Sequence, residues 1–147
     1  MRPTRVLVAD DDELFRTALI DVVDADPRFE VVGSSDSGAG VVDAVRRCGA
    51  ELVLLDVDMP EGGATAARAL QVAVERGVLT RLCVVALSAH ASTTTVVMLL
   101  RAGAVGYLVK GQQPHDLPDL LQRCVGGQVV VTAATGAAAL RLLVAGD

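Results

Sequence analysis

The sequence predicts an α/β fold of the (βα)5 kind, a parallel sheet with helices on both faces. Three observations point there. Short apolar runs alternate with longer stretches of helical apolar period. The chain is 52% hydrophobic yet holds one Tyr, two Phe and no Trp, so Val, Leu and Ala must fill the core, as suits strands buried on both faces. Each apolar run also ends at polar residues. At 147 residues the chain has the usual size of one domain.

The elements follow in order. Arg5–Ala9 (RVLVA) reads as a strand that stops at an acidic cluster. Asp12–Ala25 places Leu14, Phe15, Ala18, Leu19, Val22 and Val23 on one helical stripe. Phe29–Gly33 (FEVVG) is a second short strand. Ser37–Cys48 reads as a helix with Ser37 as its N-cap. Glu51–Leu55 (ELVLL) is a third strand and runs into Asp56. Gly62 and Gly63 mark a loop before a helix over Ala64–Glu75. Arg81–Leu87 is a fourth strand, and Ser92–Ala102 a helix stopped by Gly103. Val105–Val109 is a fifth strand, interrupted by Gly106. A last helix begins near Pro114 and runs to about Val125, with Pro118 complicating its first turn. Gly126–Gly127 ends it. The tail, Gln128–Asp147, contains VVVT and a short Ala/Leu helix candidate. The expected organisation is therefore one domain over residues 1–126 and an extension or linker over 127–147 that leads toward a further domain.

In open parallel sheets, ligands bind beyond the carboxyl ends of the strands. Those ends carry Asp10–Asp11–Asp12, Ser34–Ser35, Asp56, Ser88 and Lys110. A carboxylate such as Asp56 can act as a nucleophile and form an aspartyl-phosphate. A phosphoryl donor is anionic, so a hard cation such as Mg2+ would have to offset the repulsion, and Asp10 and Asp11 are placed to hold one. Lys110 and Ser88 would neutralise charge on the phosphoryl oxygens. Lys110 is the single lysine among 13 basic residues, and a lysine retained in an arginine-rich chain suggests a need for a compact point charge.

Taken singly, each piece has a plainer reading. Asp10–Asp12 can be a solvated loop with Asp12 capping a helix. Asp56 can be a loop acid, Ser88 a turn hydroxyl, His90 a surface residue at a helix start, and Tyr107 core packing. Their convergence on one sheet edge is what favours a site.

The charge pattern narrows the rest. Of 18 acids, 14 lie within residues 1–61, against 6 of the 13 bases, which argues against a nucleic-acid surface there and suits a cation site. No apolar run approaches the ~20 residues that span a bilayer. Acids follow the first apolar run at once, unlike a signal peptide. Cys48, Cys83 and Cys124 are odd in number and widely spaced, and read as free thiols of a reducing cytosol.

The segments VLVADDDELFRTAL, LVLLDVDMP, VVALSAH and AGAVGYLVKG resemble the receiver domain of two-component response regulators, above all receivers that precede NarL/FixJ-type helix-turn-helix output domains. The resemblance covers roughly residues 4–125. It implies a flavodoxin-like three-layer sandwich with strand order 2-1-3-4-5. It implies Asp56 as phosphoacceptor, Asp10 and Asp11 as the acid pair around Mg2+, and the backbone carbonyl of Asp58 as a further metal ligand. Ser88 would be the switch hydroxyl, Lys110 the phosphoryl-contacting lysine and Tyr107 the rotating aromatic. Asp58 and His90 stand two residues beyond the phosphoacceptor and the hydroxyl, where the family tunes dephosphorylation. A sensor histidine kinase would be the donor, and the surface of residues 91–125 would address an output domain, a partner protein or a second copy, most naturally to control transcription. The implied setting is the bacterial cytoplasm. Catalysis would be limited to the domain's own phosphotransfer and autodephosphorylation.

Two other readings compete. LVLLDVDMP also resembles the hhhhDxD motif of haloacid-dehalogenase-type phosphatases, with Asp56 as nucleophile and Asp58 as acid/base. Pro60 then stands where a hydroxyl residue is wanted, and the Asp10–Asp11 pair has no role. A degenerate receiver acting as a constitutive interaction module is the third reading, and the full acid–hydroxyl–lysine set argues against it.

Overall fold

The computed structural model describes residues 2–59, 62–89, 92–110, 117–131 and 144. Its elements run β1 (Thr4–Ala9), α1 (Glu13–Asp24), β2 (Phe29–Ser35), α2 (Val41–Cys48), β3 (Leu52–Asp56), α3 (Gly63–Glu75), β4 (Cys83–Ser88), α4 (Thr93–Arg101), β5 (Gly106–Val109), α5 (Leu117–Val125) and β6 (Val130–Val131). All strand pairs are parallel and the sheet order is β2-β1-β3-β4-β5-β6. The expected order 2-1-3-4-5 is present, and a sixth strand is added beyond it. That strand comes from the VVVT run read as tail. It is held by Gly106↔Val130 and Tyr107↔Val131 pairing and by the Val130 N–H donating to the Val105 carbonyl at 2.9 Å.

Period-two alternation divides the core. Val6, Val8, Leu52, Leu54, Val85, Leu87 and Leu108 face one side and pack with Leu19 and Val23 of α1 and Leu121 and Cys124 of α5. Leu7, Ala9, Val53, Leu55, Val84, Ala86 and Tyr107 face the other, against α2, α3 and α4 through Val41, Val45, Ala67, Leu70, Val96 and Leu99. Central strands buried on both faces explain why β3 is an unbroken run of buried residues.

Two of the described helices are capped by side chains. Asp12 caps α1 by accepting from the Phe15 N–H at 3.2 Å, and Ser92 caps α4 by accepting from Thr95. The expected Ser37 cap of α2 is not formed: the helix starts at Val41 behind Gly40. Ser35 Oγ donates to the Ser37 carbonyl at 2.8 Å while the Ser37 N–H donates back to Ser35 Oγ at 3.3 Å, so Ser37 is committed to a local turn. The expected helix start near Pro114, the tail helix, Pro60 and His90 lie outside the described residues.

Among the described residues no helix is long and apolar enough to cross a membrane. The three cysteines are free thiols. Burial pushes Cys83 up to about 12 and Cys124 up to about 11, which leaves both as thiols at neutral pH.

Candidate functional site

The strand register brings the site together. Ala9 lies beside Leu55, Asp56 beside Leu87 and Ser88 beside Val109, so Asp10, Asp56, Ser88 and Lys110 meet at one edge of the sheet. Asp10 and Asp56 are 1% exposed and Ser88 is 2% exposed, the buried polar or charged residues among those described. Buried acids are rare unless paired. Here the pairing group is Lys110, whose Nζ lies 2.9 Å from Asp10 Oδ2 and 3.3 Å from Asp56 Oδ2.

Other contacts fix each member. Asp10 Oδ1 accepts from the Asp12 N–H at 2.9 Å, and the Asp10 carbonyl accepts from Arg16 Nη1 at 2.7 Å. Asp56 Oδ1 accepts from the Asp58 N–H at 3.0 Å. The Lys110 N–H donates to the Ser88 carbonyl at 2.7 Å. The Phe15 ring sits 4.4 Å from Lys110 Nζ, a cation–π contact that places the ammonium over the acids. Phe15 entered the sequence reading only as a helix-stripe residue. Its spacing could not reveal that it faces Lys110, nearly a hundred residues on.

Asp58 does something the sequence did not disclose. Its carboxylate Oδ2 accepts from Ser88 Oγ at 3.4 Å and from the Ala89 N–H at 3.0 Å. Tyr107 is 1% exposed and packs in the core face of β5.

The electrostatics follow from burial. Desolvation raises Asp56 to about 6; the Asp58 N–H opposes this, the Asp10 charge adds to it and Lys110 lowers it. Desolvation pulls Lys110 down, but its hydrogen bond with Asp10 and the charges of Asp10 and Asp56 outweigh this and hold it above its ordinary value. A carboxyl raised from 3.8 to about 6 binds more protons folded than unfolded between those values. Its contribution to stability therefore falls as pH rises through that window. In chelator, denaturant unfolding should show this negative slope as the difference between wild type and Asp56→Asn. A difference that rises over the same window would contradict it.

The donor set also fits a hard cation. Carboxylate oxygens of Asp10, Asp11 and Asp56 can lie within 4.8 Å of one another. Asp10 Oδ2 is fully enclosed, and the group that faces it is the Lys110 ammonium at 2.9 Å. An all-oxygen set with an exposed member, Asp11, leaves room for water, as Mg2+ prefers.

Comparison with known proteins agrees with this geometry. The family described as "Response regulator receiver domain" matches residues 6–122. The nitrate/nitrite response regulator NarL of Escherichia coli is 31% identical over 132 residues, covering 90% of this chain and 59% of NarL. The transcriptional regulatory protein DegU of Brevibacillus brevis is 32% identical over 119 residues, covering 80% of this chain and 48% of DegU. The chain thus spans about half to three-fifths of the length of these relatives. The solved signal receiver domain of the response regulator NarL of Mycobacterium tuberculosis superposes with a TM-score of 0.77 at 29% identity, covering 87% of this chain and all of that one.

Proposed function

Because the chain belongs to the response regulator receiver family, we propose that Asp56 is its phosphoacceptor and that phosphorylation there operates the switch. One observation carries the assignment: the Lys110 ammonium bridges the buried Asp10 and Asp56 carboxylates at the same strand ends that present Ser88. Asp56 attacks the donor phosphorus, the donor's P–N bond breaks, and an acyl phosphate remains on Asp56. Lys110 and the Ser88 hydroxyl bind the new oxygens. Asp10, Asp11, Asp56 and the Asp58 carbonyl would hold Mg2+, which would offset the repulsion between the site's acids and an anionic donor.

The donor is a sensor histidine kinase. The acyl phosphate draws Ser88 and the end of β4 inward and reorients Tyr107, which changes the surface of residues 91–125. That surface then addresses an output domain, a partner protein or a second copy, and the family's regulators favour transcription as the output. The chain works in the cytoplasm, binds no nucleic acid itself and catalyses only its own phosphotransfer and dephosphorylation. The unit that switches is the domain of residues 1–126, onto whose sheet β6 of the 127–147 extension pairs. The phosphatase reading of Asp56 and Asp58 is set aside, since the receiver family matches residues 6–122.

Incubation with acetyl phosphate or phosphoramidate and Mg2+ tests this. Intact mass should show one adduct of about 80 Da, absent in Asp56→Asn. Rapid multiple-turnover phosphate release would favour a phosphatase, and no adduct under any condition would leave a constitutive interaction module. Asp58→Asn and His90→Ala should change the adduct's lifetime without preventing its formation. Unchanged autodephosphorylation in both would refute that role.

A further inference from the structure

We propose that the Asp58 carboxylate is a resting latch that competes with the phosphoryl group for the two switch donors. The inference rests on Asp56 being the phosphoacceptor. A phosphoryl group on Asp56 brings strong acceptor oxygens that need donors at the strand ends. Lys110 is already shared between Asp10 and Asp56. The donors nearest the end of β4, Ser88 Oγ and the Ala89 N–H, both go to one oxygen, Asp58 Oδ2. That oxygen is anionic and belongs to the residue whose N–H already holds Asp56 Oδ1. Asp58 therefore imitates, from beside the phosphoacceptor, the acceptor that phosphorylation would supply. It keeps the β4 end in place until a better acceptor arrives.

The latch has a limited strength. Asp58 is solvent-exposed, and its contact with Ser88 is long at 3.4 Å. Its release should amount to about one charge-assisted hydrogen bond, roughly tenfold in affinity for a phosphoryl mimic. The substitution leaves the Asp58 backbone carbonyl and N–H in place, so any change reports the side chain.

Two measurements on wild type, Asp58→Ala and Asp58→Asn test it. Amide exchange of Ala89 is followed in chelator without any phosphoryl mimic. The apparent Kd for fluoroberyllate is followed at saturating Mg2+. The latch predicts faster Ala89 exchange in Asp58→Ala and fluoroberyllate binding about tenfold tighter, with Asp58→Asn between wild type and alanine because its carbonyl still accepts. Equal tightening in both variants would show simple charge repulsion and overturn the latch. Unchanged Ala89 exchange in Asp58→Ala would overturn it as well. A wild-type chain that does not bind fluoroberyllate would instead overturn the phosphoacceptor reading, and the competition with it.

Discussion

Replacing Gly63 by alanine should destabilise the protein by about 3 kcal/mol or more, one of the largest effects available to a single methyl group. The reason is a backbone approach. A Cβ on Gly63 would lie 2.2 Å from Val57 Cα, 2.9 Å from Val57 Cβ and 3.0 Å from the Asp56 carbonyl oxygen. The first of these is backbone, which cannot rotate out of the way. Gly63 opens α3 directly over the end of β3, and its N–H donates to the Val57 carbonyl at 3.3 Å. Relief requires the helix to lift off or the chain after Asp56 to shift. For a domain of this size the loss corresponds to a fall in Tm of about 10 °C. Because the strain falls on the residue after Asp56, adduct formation should slow even where the variant remains folded. Gly77→Ala is the control: nothing lies within 4 Å of its would-be Cβ, so its cost comes only from a φ of +76°. A Gly63→Ala variant as stable as that control would refute the close approach.

Short apolar runs alternating with stretches of helical period made most of the fold legible. β1, β3 and β4 are apolar runs with no plausible helical reading, and their ends could be inspected for chemistry. That is why Asp10, Asp56, Ser88 and Lys110 could be grouped before their distances were known. What escaped was whatever depends on one polar atom choosing among nearby partners. Ser37 resembles an N-cap in sequence, yet Ser35 engages it first and α2 begins at Val41. Asp56 and Ser88 were expected just past their strands but are their last residues, because Leu87 and Val109 lie alongside them. β6 was hidden for another reason. A two-residue strand has no period of its own, and only the open edge of β5 makes Val130 and Val131 pair. Asp58 stood at a position of interest, but its grip on Ser88 and Ala89 is a matter of side-chain direction.

Lys110→Met should lower the rate of adduct formation about 100-fold or more, the scale of losing one preorganised charge from a transition state. Methionine keeps an unbranched side chain only one atom shorter and can still pack against Phe15, so the change isolates the ammonium. Two further consequences follow from where that ammonium sits. Asp10 and Asp56 are both 1% exposed and would face each other without a cation between them. Lys110 lowers Asp56 in the wild type, so its removal should push Asp56 above about 6 and leave less of the ionised nucleophile at neutral pH. The loss of stability should likewise be greatest above that raised value and shrink as pH falls through it toward about 6, where Asp56 of the variant is already protonated and the repulsion with Asp10 has faded. Added Mg2+ should restore part of that stability by replacing the missing charge, and it should do so better than the same ionic strength of Na+. Lys110→Arg provides the sharper comparison. It retains the charge but spreads it over a planar fork that cannot sit as a point between two carboxylates. It should therefore recover stability more fully than reactivity. If Lys110→Met forms the adduct at the wild-type rate, the bridging ammonium is a structural counter-ion alone, and the phosphoryl oxygens must be neutralised by other donors.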